Sequence, residues 1–195
     1  DDTDNIENLG SFVIWGRPNT GKTTFISRLR GLELKSVKEA TTSKKVFRNI
    51  ELSDLEGGPY KIEEIVDMPG SMDRLEGWLE QVVDKKHVFY LLDLSRLSEQ
   101  NYMTAVRSDL QRTVEKLKKS DKALKRINII ASHLDCSEWK DEDAAEVNNV
   151  LQDSEDIRRI YESVNGVEGY IYSGNLTEKK SFQRLLQSVI NDCQN

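Results

Sequence analysis

Gly16-Arg-Pro-Asn-Thr-Gly21-Lys22-Thr23 sets two glycines, a lysine and a hydroxyl at the spacing G-x-x-x-x-G-K-[ST]. A loop that wraps a polyphosphate presents its backbone N–H groups to the phosphate oxygens. A side chain at Gly16 or Gly21 would stand in their way. Lys22 can neutralise the terminal phosphates, and the Thr23 hydroxyl can ligate Mg²⁺. Asn19 and Thr20 lie inside the same wrap.

Three further groups narrow the chemistry. Asp67-Met-Pro-Gly70 follows an apolar run. Its carboxylate can hold Mg²⁺ through water, and the Gly70 N–H can sense a γ-phosphate. Thr41-Thr42 lies in an unpatterned stretch, where a threonine hydroxyl can complete the metal's shell. Ser132-His-Leu-Asp135 follows another apolar run. A carboxylate there can accept from guanine N1–H and N2–H₂, a donor pair that adenine does not offer.

These groups need elements to position them. Phe12-Val-Ile-Trp15 reads as a buried strand ending at Gly16, and from Thr23 the apolar period turns helical through Phe25, Ile26 and Leu29. Val46–Leu52 and Tyr60–Val66 alternate around Gly57-Gly58-Pro59 and read as an antiparallel hairpin. Leu75, Trp78, Leu79 and Val82 have helical spacing, and Trp78 is expected in the core. His87–Leu94 and Ile127–Ala131 are apolar enough for strands covered on both faces. A long helix is expected between them, through Met103, Val106, Leu110, Val114 and Leu117. A helix through Val147, Val150 and Leu151, extended or followed by a second helical segment through Ile157, Ile160, Tyr161 and Val164, a short strand Gly169–Tyr172 and a closing helix through Phe182 and Ile190 complete the chain. Alternation of this kind predicts a mostly parallel sheet with helices on both faces.

In these motifs the chain resembles a Ras-like P-loop GTPase domain over about residues 11–193. Its phosphate loop, Ala40-Thr-Thr42 and Asp67-Met-Pro-Gly70 are most similar to the bacterial Era/EngA-like branch. The resemblance implies a three-layer α/β sandwich. Its mostly parallel six-stranded sheet has one antiparallel edge strand and about five helices on both faces. It implies GTP/GDP and Mg²⁺ as ligands, with Thr23, Thr42 and Asp67 at the metal and Lys22, Thr42, Gly70 and Asn19 serving hydrolysis. Thr24 would meet the α-phosphate. Ser132, His133 and Asp135 would meet the base, supported by Ser173 and Gly174. Switch loops at about 33–45 and 67–78 would bind a protein effector or regulator, and a nucleotide-dependent homodimer is also implied.

The sequence departs from that pattern at two places. The family's Asn-Lys-x-Asp is Ser132-His133-Leu134-Asp135 here, with the aspartate kept. The glutamine that orients water in Ras-like enzymes is Ser71 here. Some Era-like members instead use K⁺ held by the loop asparagine, which is Asn19 here. Slow hydrolysis is therefore expected. The alternative is an interaction module that keeps its nucleotide with little turnover. A small-molecule kinase would need an acceptor pocket that the sequence does not show.

Composition sets outer bounds. The 195 residues include 28 Lys and Arg against 34 Asp and Glu, a net charge of −6. Much of that excess sits in residues 1–10 (Asp1, Asp2, Asp4, Glu7), read as an acidic flexible lead-in. The nearly neutral remainder argues against a dedicated DNA-binding protein. The basic run Arg112, Lys116, Lys118, Lys119, Lys122, Lys125 and Arg126 is a candidate surface for nucleic acid or an anionic membrane. The acidic stretch at 138–156 reads as solvated. No apolar run reaches the roughly 18–20 residues of a membrane helix. Without an initiator Met or signal peptide, the chain reads as an excised domain. Cys136 and Cys193 are expected to be reduced thiols on the cytoplasmic side.

Overall fold

The computed structural model describes residues 5–34, 43–70, 75–120 and 126–194. The element order is β1 (Glu7–Gly16), α1 (Lys22–Leu29), β2 (Lys45–Leu52), β3 (Tyr60–Asp67), α2 (Leu75–Asp84), β4 (His87–Asp93), α3 (Gln100–Lys118), β5 (Arg126–Ser132), α4 (Val147–Leu151), α5 (Glu155–Ser163), β6 (Glu168–Ser173) and α6 (Lys179–Cys193). The six strands form one sheet in the order β2-β3-β1-β4-β5-β6. β2 pairs antiparallel with β3 at one edge, and the other pairings are parallel.

Both faces of the sheet are covered, and the strand alternation divides the core accordingly. Val13, Trp15, Val66, Val88, Tyr90, Leu92 and Ile129 face one way, against α2, α3, α4 and α5. Phe12, Ile14, Ile62, Ile65, Phe89, Leu91 and Ile130 face the other way, against α1 and α6. This is why the central strands carry apolar residues at consecutive positions.

One open reading is decided and one expectation needs correction. The stretch 147–164 holds two successive helices, which brings the α-helices among the described residues to six. α4 stops at Leu151, and Ser154 restarts the chain as N-cap of α5, its hydroxyl accepting from Ile157 N at 3.5 Å. β1 also begins at Glu7, inside the expected lead-in. It pairs with β3 from Glu7 opposite Tyr60, with a register shift around Gly10 at φ 82°. Leu9 is the buried side chain of that extension. Its neighbours are polar, so the hydrophobic pattern carried no strand signal there.

β1 lies between β3 and β4, so the chain departs to opposite sides of it. Ligands of open α/β sheets bind in the crevice that such a reversal leaves beyond the carboxyl ends of the strands. Gly16, Asp67, Asp93, Ser132 and Ser173 each close a strand at that end.

Candidate functional site

The loop from Gly16 to Gly21 joins β1 to α1 and doubles back on itself. Asn19 takes φ 62° and Gly21 φ 87°, and the Thr20 hydroxyl donates to Arg17 O at 2.8 Å. Gly21 occupies the N-cap of α1, and no side chain caps the helix there. The first-turn amides of α1 are thus presented toward the loop's concave side. Thr23 and Thr24 sit in that first turn. A methyl group at Gly16 would lie 2.9 Å from Leu91 Cβ and 3.0 Å from Thr20 Oγ1. Gly16→Ala is accordingly expected to cost about 1–3 kcal/mol of stability, read as a lowered thermal midpoint.

Lys22 is 7 % exposed, and its Nζ donates to Met68 O at 2.5 Å and to Asp67 Oδ1. Burial pushes its ammonium below the ordinary lysine value, and the Asp67 carboxylate offsets only part of that. Asp67 is itself buried at the end of β3. The turn after it is pinned from β1, since Met68 N donates to Ile14 O at 3.0 Å and Trp15 Nε1 to Pro69 O at 2.7 Å. A methyl at Gly70 would meet Gly16 O at 3.0 Å and Pro18 N at 3.1 Å. Asp67-Met-Pro-Gly70 therefore lies directly against the phosphate loop, and the missing side chain at Gly70 is what allows the approach.

The third group closes the site from β5. Ser132 is buried, and its hydroxyl lies 2.5 Å from Thr20 O and 3.2 Å from Leu92 O. It bridges the phosphate loop to the sheet, a role not legible in the sequence. His133 follows at φ 56°, with Nε2 3.9 Å from Asp93 Oδ2. Asp135 is exposed in the one-turn 3-10 helix Leu134–Cys136. From β6, Gly174 N donates to Ala131 O at 3.2 Å, and Ser173 Oγ donates to Asn148 Oδ1 at 2.8 Å. The end of β6 is thereby tied both to the end of β5 and to α4.

Sequence reasoning missed Asp93. It closes the apolar strand β4, and its carboxylate accepts from Ser95 N at 2.9 Å and Ser95 Oγ at 2.6 Å. A lone carboxylate ending an apolar run was the available signal. A loop arginine is by type most often a solvated charge, and Arg17 is not one. Instead its side chain is 11 % exposed and makes a two-pronged ion pair with Asp109 on α3, Nε to Oδ2 at 2.7 Å and Nη2 to Oδ1 at 2.5 Å. Of the basic run, Arg112, Lys116, Lys118 and Lys119 are exposed on or just after α3. Arg126 turns inward, donating to Asn128 Oδ1 at 3.0 Å and Asp192 O at 2.8 Å. Lys122 and Lys125 lie outside the described residues, as do Thr41, Thr42 and Ser71.

The assembled groups form an oxygen-rich, lysine-bearing crevice built around backbone amides. Thr23 and Asp67 supply oxygen donors, the chemistry that suits Mg²⁺. Among the described residues no cluster of three or more His, Cys, Asp or Glu stands ready to hold a metal. Such a donor set fits a cation held jointly with phosphate oxygens and water. No described helix is long and apolar enough to cross a membrane.

Comparison with known proteins agrees with this geometry. The family model described as 50S ribosome-binding GTPase matches residues 11–162. No curated protein gives a significant sequence match. Among solved structures, the Arl6 BBS3 small GTPase from Trypanosoma brucei with bound nucleotide analogue GppNp is similar with a TM-score of 0.65. The identity is 17 %, over 96 % of this chain and 98 % of that one. At that identity the likeness speaks for the fold.

Proposed function

The chain belongs to the family described as 50S ribosome-binding GTPase, and from that premise we propose a slow guanine-nucleotide switch. It binds GTP with Mg²⁺, hydrolyses it to GDP, and alters its grip on a protein partner through residues 33–45 and 67–78. The observation that carries this reading is the contact of Gly70 with the backbone of Gly16–Pro18, beside a Lys22 already held by Asp67 and Met68 O. A γ-phosphate seated in the loop would lie where Lys22 and the Gly70 amide both reach it. Its loss on hydrolysis would release the Asp67–Gly70 turn and, with it, the start of α2.

Lys22 and the amides of the α1 N-terminus would bind and orient the triphosphate and take up the charge that develops on it. Mg²⁺, when bound at Thr23, Asp67 and Thr42, would add a Lewis acid for the same charge. Asp135 would select guanine through two charge-assisted hydrogen bonds, with His133 beside the base. Ser132 would act indirectly, because its hydroxyl is already engaged by Thr20 O and Leu92 O. Ser71 stands where a water-orienting glutamine would be, which argues for a slow intrinsic rate. The amide oxygen of Asn19, in the exposed left-handed turn of the loop, is the candidate K⁺ ligand that would raise it.

Single-turnover cleavage of GTP, with ATP as control, tests this in KCl and in NaCl. Asp135→Ala is expected to weaken GTP binding about 100-fold, the worth of two charge-assisted hydrogen bonds, and to leave ATP binding unchanged. Asn19→Ala is expected to abolish any advantage of KCl. Tight GTP binding without turnover in either salt would replace the enzyme reading with that of a nucleotide-holding interaction module.

A further inference from the structure

Asp109 is 1 % exposed on α3, and the functions just assigned make no use of it. Its carboxylate takes both Arg17 bonds and a third from Tyr90 Oη at 2.7 Å. Burial pushes the carboxyl up, while the Arg17 and Tyr90 hydrogen bonds work to hold the charge. Burial likewise works against the Arg17 charge, but its bonds to Asp109 outweigh that and raise it. A solvent-exposed pair of this kind would do little. A buried one is costly to break from either side, because the partner left behind keeps its charge out of water.

The contacts continue past Asp109. One helical turn along, Thr113 Oγ1 donates to Asp109 O at 2.7 Å and accepts from Trp78 Nε1 at 2.9 Å. Trp78 lies on α2, the helix that follows the Asp67–Gly70 turn. Its ring stacks on Trp15 at 5.2 Å between centroids. Trp15 immediately precedes Gly16, and its own indole N–H holds Pro69 O. The circuit is closed: loop to Arg17, Asp109, Thr113, Trp78, Trp15 and back to the loop. Apart from the tryptophan stack, each spatial link is a directional bond, and each group in it is wholly or mostly removed from solvent.

We propose that Asp109 is a positioning residue for the phosphate loop, and that the Asp109–Thr113 turn of α3 couples the placement of α2 to the geometry of that loop. α3 is then a working part of the site although it touches no nucleotide. Displacement of α2 pulls on Thr113 through Trp78, and the pull reaches Arg17 through Asp109. Arg17 is held by this duty and is not available as a charge for the reacting phosphate. The inference rests on the guanine-nucleotide reading for its effect on ligand release, but the coupling itself does not need a ligand.

Two experiments separate these. In the nucleotide-free protein, Thr113→Val removes the hydroxyl that links Trp78 to Asp109 O. Raised amide hydrogen exchange across residues 16–20, with α6 unchanged and with Thr113→Ser restoring the wild-type rates, is the expected result. Unchanged exchange in the loop overturns the coupling, whether or not the protein binds GTP. With N-methylanthraniloyl-GDP bound, Asp109→Asn is expected to speed dissociation about tenfold, as loss of one charge-assisted bond would. Arg17→Gln is expected to do the same, and Asp109→Asn combined with Thr113→Val less than the product of the two single effects. A folded Asp109→Asn protein that releases the probe at the wild-type rate, or single effects that simply multiply, overturns the proposal. Failure of the wild type to bind the probe would count against the nucleotide reading alone, because the exchange experiment still decides the coupling.

Discussion

Lys22→Ala is expected to lower affinity for GTP by at least about 100-fold, with or without Mg²⁺, in a protein that still folds. Charge-assisted hydrogen bonds to an ionised partner are worth about 1.5–3 kcal/mol each, and a lysine between phosphates makes more than one. The structure adds a second, less obvious expectation. Lys22 is held by Asp67 and by Met68 O at 2.5 Å, so nucleotide must draw the ammonium away from a carboxylate that a metal would also want. Mg²⁺ at Asp67 would neutralise that competitor and set Lys22 free. Asp67→Ala should therefore bind GTP with little dependence on Mg²⁺, whereas the wild type should depend on it strongly. Titration with a fluorescent GTP analogue in Mg²⁺ and in chelator reads both outcomes. Wild-type affinity in Lys22→Ala would mean that the triphosphate is not seated in the Gly16–Thr23 loop, and the assignment of the site would fall with it.

How much of this could be read from the residues differs by cause. The phosphate loop was legible because its chemistry fixes residue types at fixed spacing. The strands that carry Gly16 and Ser132 were legible because strands covered on both faces are apolar at consecutive positions, and the strand that carries Asp67 was legible from its alternation. Trp78 was expected in the core and lies there, 0 % exposed. What stayed hidden depends on where distant segments meet. Arg17 and Asp109 are far apart in sequence, and either alone looks like a solvated charge in a loop or on a helix. Only the packing of α3 on the sheet, where Tyr90 in the middle of β4 supplies a third bond, makes them a pair. Ser132 invited a reading against the base, because the family's asparagine stands there. What the residue type did not announce is that its hydroxyl donates to the Thr20 and Leu92 carbonyls. The N-terminal end of β1 was hidden for the opposite reason. Its ladder with β3 is made by the backbone, and with Leu9 as its buried side chain the hydrophobic pattern had nothing to report.

Trp78→Ala should produce the largest loss of stability of any substitution considered. The indole is wholly buried between β1 and α3, stacked on Trp15 at 31° between ring planes and bonded to Thr113 Oγ1. Removing a buried tryptophan costs about 3–5 kcal/mol, of which part is the cavity left behind. Against a total stability of about 5–15 kcal/mol this is a large fraction, and for a chain of this size it predicts a thermal midpoint lowered by about 6–20 °C. Trp78→Phe divides the effect. It keeps most of the packing and loses the indole N–H, while Thr113 Oγ1 still has Asp109 O as its acceptor. Its cost should therefore be markedly smaller and come chiefly from lost volume. Calorimetric unfolding of both variants checks the order. If Trp78→Ala unfolded within about 1 kcal/mol of the wild type, the site could collapse around the gap or α2 would not be docked on the sheet in solution. Near-ultraviolet circular dichroism of the Trp15–Trp78 pair would tell those apart, since a docked α2 holds the two rings in fixed contact and an undocked one does not. The distinction bears on function, because a switch that signals through α2 needs a docked state to depart from.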